Sequence, residues 1–145
     1  MADFQLIVIG AGPGGYEAAL CAADRGLKTA LIEMREVGGT CVNRGCIPTK
    51  TLLHSANILA EVRKDKALCQ CLEYFSPDME QVFQHKRDVS AELRSEIYGL
   101  LETKGIMLYR GKGTVLTSGC VRVTADGESY DLTTDYIVLA TGMEP

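Results

Sequence analysis

The run Phe4-Gln5-Leu6-Ile7-Val8-Ile9 leads straight into Gly10-Ala11-Gly12-Pro13-Gly14-Gly15, and this junction constrains the fold more than any other stretch of the chain. A nearly continuous apolar, β-branched run suits a strand covered on both faces, as in a parallel sheet. The glycines match G-x-G-x-x-G. The alanine-rich stretch from Tyr16 to Arg25 reads as a helix stopped by Gly26, and Lys28 to Glu33 reads as a second strand ending in an acid. In such a βαβ unit Gly10 permits the tight turn, Gly12 lets the backbone approach a pyrophosphate, and Gly15 admits close helix packing, with Gly14 beside it in the same turn. The helix N-terminus directs free N–H groups at the phosphates. Glu33 follows about 20 residues beyond the turn, where an acid accepts hydrogen bonds from the adenosine ribose and disfavours a 2′-phosphate. A dinucleotide is the expected ligand, and the fingerprint alone leaves FAD and NAD both open.

The chain has 145 residues and a net charge of -4, which predicts one domain with a real core and no affinity for nucleic acid or an anionic membrane surface. Its start, Met1-Ala2-Asp3-Phe4, lacks a basic n-region, and the apolar run Leu6 to Ile9 is too short to span a bilayer or drive secretion. A cytoplasmic protein is expected. Six cysteines without a signal peptide then point to redox chemistry, metal binding or buried apolar filler rather than a disulfide scaffold.

Two of the six stand in Gly38-Gly39-Thr40-Cys41-Val42-Asn43-Arg44-Gly45-Cys46-Ile47-Pro48-Thr49-Lys50. In a regular helix, residues five apart rise by about 7.5 Å, beyond the usual Cα limit of about 7 Å for a disulfide, so Cys41 and Cys46 can bridge only where the backbone bends. Asn43 and Gly45 tolerate a bend, and Pro48 suits the first turn of a helix continuing through Leu52, Leu53, Ile58 and Leu59. Both cysteines then precede or open a helix, where the dipole is expected to lower a thiol pKa. The plainer readings are two inert buried thiols or half a zinc site, and the second lacks a further Cys or His pair at ligand spacing.

This cysteine run resembles the active-site signature of the class I pyridine nucleotide-disulfide oxidoreductases. Cys46-Ile47-Pro48-Thr49-Lys50 followed by Leu52-Leu53-His54 is closest to the dihydrolipoamide dehydrogenases among them. The related soluble transhydrogenases lack the cysteine pair. The resemblance implies a Rossmann-like α/β FAD-binding domain over residues 1–145, with a central parallel sheet, flanking helices and a small β-meander. It implies FAD as resident cofactor, bound by Gly10, Gly12, Gly14, Gly15, Glu33, Gly39 and Thr40. Gly111 of Tyr109-Arg110-Gly111-Lys112-Gly113 would lie by the adenine, and Thr141 and Gly142 of Ala140-Thr141-Gly142 would close over the cofactor. Cys41 would be the interchange thiol, Cys46 the thiol against the flavin, and Lys50 the cation near its N5. Met143 sits where a serine is common. The implied substrate is a dithiol, either a small molecule or a lipoyl domain, with NAD bound by a domain absent from this chain and a homodimer at full length. No metal is implied.

The remainder reads as scaffold. Gln81 to Thr103 carries Val82, Val89, Leu93, Ile97, Leu100 and Leu101 at helical spacing and is expected to cover the sheet up to Gly105. Ile106 to Tyr109 predicts a strand. Thr114 to Leu116, Cys120 to Val123 and Ser129 to Leu132 predict a meander turning at Ser118-Gly119 and Asp126-Gly127, and Tyr136 to Ala140 a further buried strand. Cys21 is expected to be buried filler, Cys69 and Cys71 ordinary side chains, His54 structural and His85 solvated. The stretch Tyr74 to Asp78 is expected to be an irregular connection, and Arg63 to Lys66 a surface patch. Family members are several-fold longer, so a chain ending at Pro145 is expected to be a fragment that binds FAD weakly or not at all and does not turn over. Two other functions fit the same residues: a reductase of another disulfide, such as the glutathione or mercuric reductases, and a non-catalytic nucleotide-binding redox module.

Overall fold

The computed structural model describes residues 2–65 and 76–143, so Cys69 and Cys71, Lys66 and the first part of the Tyr74 to Asp78 connection lie outside the described residues. Strand β1 is Phe4–Ile9, helix α1 is Pro13–Asp24 and strand β2 is Thr29–Glu33, which is the expected βαβ unit. Helix α1 starts at Pro13, earlier than Tyr16, because a proline's fixed φ and missing N–H suit a first helical turn. Gly26, at φ 80°, ends it, with the Gly26 and Leu27 N–H groups returning to the Ala23 and Ala22 carbonyls. Gly15, Ala19 and Ala22 form its buried face. Cys21 falls off that face and is exposed rather than buried, and Arg25 Nη1 donates to its carbonyl at 2.9 Å and its Sγ at 2.5 Å.

Helices α2 (Gly39–Asn43), α3 (Cys46–Lys64) and α4 (Met79–Thr103) follow, then strands β3 (Met107–Arg110), β4 (Lys112–Thr117), β5 (Cys120–Ala125) and β6 (Glu128–Leu139). The sheet runs β3-β2-β1-β6-β5-β4. Its first four strands are parallel and β4, β5 and β6 are antiparallel, so the parallel sheet, flanking helices and meander are all present. The last strand differs from expectation in its boundary and in its burial, since Tyr136 and Leu139 are exposed. Ser129 to Leu132 and Tyr136 to Ala140 belong to a single strand, β6, whose residues 128–133 pair with β5 and 134–139 with β1. The polar residues between the two halves look like a break in sequence, but they are held in place. Thr133 donates from its amide and its hydroxyl to Asp3 Oδ2 at 2.9 and 2.7 Å, and the buried Thr134 donates to the Tyr136 carbonyl at 2.9 Å.

The two faces of the parallel sheet carry different layers. Leu6, Val8 and Leu31 meet Ala19 and Ala22 of α1 and Ile97 and Leu101 of α4, while Ile7, Ile9, Ala30 and Ile32 meet Val121, Val123 and Leu132 of the meander. Fully burying a side chain of this size is worth about 1.5–3 kcal/mol, so the strands are held from both sides. Phe4 joins the second cluster because Gln5 and Leu6 both donate to the Lys28 carbonyl, a local irregularity at which strict alternation breaks. Helix α4 covers the sheet only with its C-terminal half. It has 25 residues, and at 1.5 Å per residue it is roughly 37 Å long, longer than the strands beneath it. Its N-terminal half overhangs the sheet and lies along α3, with Val82 on that side, and Leu100 is exposed. Asp78 caps its start, accepting from the Glu80 and Gln81 amides at 3.0 and 3.2 Å.

Two carboxylates tie the meander down: Asp3 through Thr133, and Asp131 through the paired contacts of Arg122 at 2.7 and 2.9 Å. The Thr133 amide first, and its hydroxyl next, hold the Asp3 carboxyl below the ordinary 3.8. The Arg122 hydrogen bond does the same for Asp131. A carboxyl lowered by folding stabilises the protein above its unfolded pKa and loses that contribution as pH falls through the folded value. The thermal midpoint is therefore expected to fall on acidification below about pH 4, and to fall less steeply in the double variant Asp3→Asn, Asp131→Asn. Parallel pH curves for the two proteins would show that these carboxylates do not link folding to protons.

Candidate active site

Three parallel strands end side by side. Ile9 is in register with Ile32 on one side and Leu139 on the other, so Gly10, Glu33 and Ala140 meet at the carboxyl edge of the sheet. β1 has β2 on one flank and β6 on the other, and the chain order reverses there, which is the switch point where open α/β sheets bind ligands. The approach is close. Gly10 has φ 100°, and a Cβ on it would stand 2.3 Å from the Ala140 carbonyl oxygen, while a Cβ on Gly15 would stand 1.8 Å from the Gly10 oxygen.

The cysteine segment docks on this turn. The Gly38 amide donates to the Ala11 carbonyl at 2.7 Å, and a Cβ on Gly39 would lie 2.8 Å from Gly12 Cα. Glu33 is fixed beside it, its Oε2 accepting from the Ala11 amide at 2.7 Å and its Oε1 from the Arg35 amide at 2.8 Å. Together these elements surround a cavity of about 600 Å³ lined by Gly10, Gly12, Gly14, Glu33, Gly39, Thr40, Cys41, Cys46, Thr141 and Gly142. Three of the residues expected at the site lie off its wall. Gly15 is behind the turn, Lys50 is one turn along α3 from Cys46, and Gly111 is at the β3–β4 corner, donating to the Glu33 carbonyl at 2.9 Å. Met34, Arg35, Glu36 and Arg44 line the wall without having been singled out in the sequence, and only their position beside the acid and between the cysteines marks them. Met143, 89% exposed, stands at the rim. A groove of about 730 Å³ between α3 and α4 is larger but almost wholly apolar, with no convergent charged groups.

The lining suits a dinucleotide. No side chain caps the first turn of α1, and the Cβ positions of Gly12 and Gly14 face open space. Uncapped N–H groups beside a strand-end carboxylate supply donors for a pyrophosphate and acceptors for a ribose. Among the described residues no group of three or more His, Cys, Asp or Glu is arranged to hold a metal ion.

Cys41 sits in α2 and Cys46 is the first residue of α3, with the bend at Arg44-Gly45 between them. Both are free thiols. The expected lowering of the Cys41 pKa is reversed. The side-chain hydrogen bond with Cys46 raises it above its ordinary 9.0, burial adds to this, and Lys50 pulls the other way. The neighbouring sulfur outweighs a helix dipole because α2 has only five residues. The Tyr16 hydroxyl is also raised, first by burial, then by Glu17 and by Cys41.

The sequence profile of the pyridine nucleotide-disulphide oxidoreductases matches residues 4–145. The chain belongs to this family. Dihydrolipoyl dehydrogenase of Chlamydia muridarum is 45% identical over 142 residues, covering 98% of the chain and 30% of the relative. That of Chlorobaculum parvum is 39% identical over 145 residues, covering 99% and 31%. Among solved structures, the Cu(II) complex of the HOCl-induced flavoprotein disulfide reductase RclA from Escherichia coli superposes with a TM-score of 0.80 at 29% identity, over 98% of this chain and 29% of that one. The chain thus spans about 30% of the length of the curated oxidoreductases it matches. Among the described residues no helix is long and apolar enough to cross a membrane.

In this chain the Cys41 alkylation midpoint is expected to lie above that of an isolated thiol. Cys46→Ala removes the largest cause and should bring the midpoint down, whereas Lys50→Met should raise it further. Cysteine-resolved alkylation by mass spectrometry across pH reads both, and a midpoint unmoved in Cys46→Ala would assign the shift to burial instead.

Proposed function

We propose that this chain is the FAD-binding part of a dihydrolipoamide dehydrogenase, in which a dithiol, free or on a lipoyl domain, is oxidised at a Cys41–Cys46 disulfide with NAD as the final acceptor. The observation that carries the reading is that Cys41 and Cys46 stand on the wall of the same cavity as the glycine turn and Glu33. Names of relatives at 45% and 39% identity support the substrate. FAD, when bound, supplies the hydride chemistry that side chains cannot. The chain's own residues bind and orient. Uncapped N–H groups at the start of α1 hold the pyrophosphate, Glu33 holds the ribose, Gly39 and Thr40 line the path between turn and thiols, and Thr141 and Gly142 close the third wall. Gly111 props Glu33 from behind.

Thiol exchange then follows. A substrate thiolate attacks Cys41 Sγ, the Cys41–Cys46 bond breaks, and Cys46 leaves as thiolate. The second substrate thiolate attacks the substrate sulfur bound to Cys41, forming the substrate disulfide and releasing the Cys41 sulfur, which takes up a proton. The raised Cys41 pKa suits that final protonation. NAD binding, a homodimer and a cytoplasmic location complete this reading, and the chain by itself is expected not to turn over.

The absorption spectrum of the complete gene product tests it. Oxidised flavin that gains a long-wavelength thiolate-to-flavin band on adding one equivalent of dihydrolipoamide is the expected result, and a protein purified without flavin would overturn the assignment. Flavin unchanged by dihydrolipoamide but bleached by another dithiol would favour a reductase of a different disulfide, a reading supported by the likeness to RclA. Glu33→Gln is expected to weaken FAD binding by about tenfold to a hundredfold, the scale of a hydrogen bond to a charged acceptor, read by flavin fluorescence.

A further inference from the structure

One contact to the cysteine segment comes from far along the chain. Arg94, on α4, donates from Nη1 to Asn43 Oδ1 at 2.8 Å across 51 residues of sequence, and the contact is part-buried. Asn43 is the last residue of α2 and stands between the two cysteines. Its amide nitrogen donates to the Gly39 carbonyl at 2.8 Å and the Val37 carbonyl at 3.0 Å. One side chain therefore spans the turn that carries Cys41, and its free oxygen is tied to a helix rooted in the core by Ile97 and Leu101.

We propose that Arg94 is a positioning residue for the Cys41/Cys46 pair, acting through Asn43 to hold α2 at the angle that keeps the Cys41 sulfur within reach of Cys46. The inference rests on the dithiol–disulfide reading above. Orientation of this kind raises the effective concentration of one thiol toward the other and so favours the disulfide. Without Arg94 the Asn43 oxygen loses its charged donor, α2 is free to tilt, and the dithiol gains ground. Asn43→Ala removes the same brace from the other end.

The test is the exchange equilibrium of the protein with glutathione disulfide. Cys41 thiolate attacks glutathione disulfide and releases one glutathione, then Cys46 thiolate attacks Cys41 Sγ and releases the second. The protein dithiol is oxidised by two electrons, glutathione disulfide is reduced to two thiols, and the two protein protons pass to glutathione. Cysteine-resolved alkylation separates this pair from the other cysteines. Arg94→Leu is expected to shift the equilibrium about tenfold toward the dithiol, the scale of one charge-assisted hydrogen bond and roughly 30 mV for this couple. Arg94→Lys, which keeps a donor, should recover most of that shift. Should Arg94→Leu fail to fold, Arg94→Met, which keeps an unbranched stem and removes every donor, takes its place. In an Asn43→Ala background the arginine substitution should add nothing, which a merely stabilising role for Arg94 would not produce. An unchanged equilibrium in Arg94→Leu, or full additivity with Asn43→Ala, would overturn the proposal. A wild-type protein that forms no Cys41–Cys46 disulfide would instead overturn the dithiol reading itself.

Discussion

The close approach of Gly10 to Ala140 is the contact on which the rest of the site depends. No side chain fits between the turn and the β6 end, since a Cβ at Gly10 would collide with a main-chain oxygen that cannot swing away. The Gly10 amide donates to the Ile32 carbonyl and the Ala140 amide to the Ile9 carbonyl, each at 2.8 Å, so the ladder hydrogen bonds run to the last residue of each strand. With the strand ends locked together, the helix start, the acid and the thiol segment all have a fixed base. Sequence pattern, strand register and cavity wall are consequences of one steric condition.

On that base the protein uses a small number of short links. Ala11 accepts from Gly38 and donates to Glu33, so a single residue of the turn joins the thiol segment to the ribose-side acid. The sheet behind is held by different means on its two faces, helices on one and the meander on the other. This division lets the helical side carry the thiols while the meander side stays structural. Gly113 shows how tightly the second layer is seated, because a Cβ there would come 2.9 Å from Ile9 Cγ2.

What could be read from the sequence was local. β1, the turn, α1 and β2 follow one another within 30 residues, and their glycines, alanines and β-branched residues dictate backbone geometry directly. The meander turns were legible for the same reason: Asp126 at φ 52° and Gly127 at φ 84° are left-handed positions that announce themselves. Failures came where a distant partner decides. β6 looks broken at Thr133-Thr134 because Thr133 is satisfied by Asp3, 130 residues away. Cys21 has the composition of core filler, but the phase of α1, set by the packing of Ala19 and Ala22, turns it outward. The direction of the Cys41 shift depended on where a second sulfur stands after a backbone bend, and the Arg94–Asn43 contact has no sequence signature at all.

The pairing of β1 with β6 has a consequence in time. Residues 4–9 leave the ribosome about 130 residues ahead of their second neighbour, residues 134–139. At roughly 5–20 residues per second the wait is several seconds to about half a minute. Until then β1 has one open edge, and the pocket under the glycine turn lacks the wall that β6 delivers. Closure of so long a loop also raises the contact order of the fold and slows its final step. The nascent chain therefore carries two thiols beside an incomplete pocket, and during that interval the fold does not yet shield them from other partners.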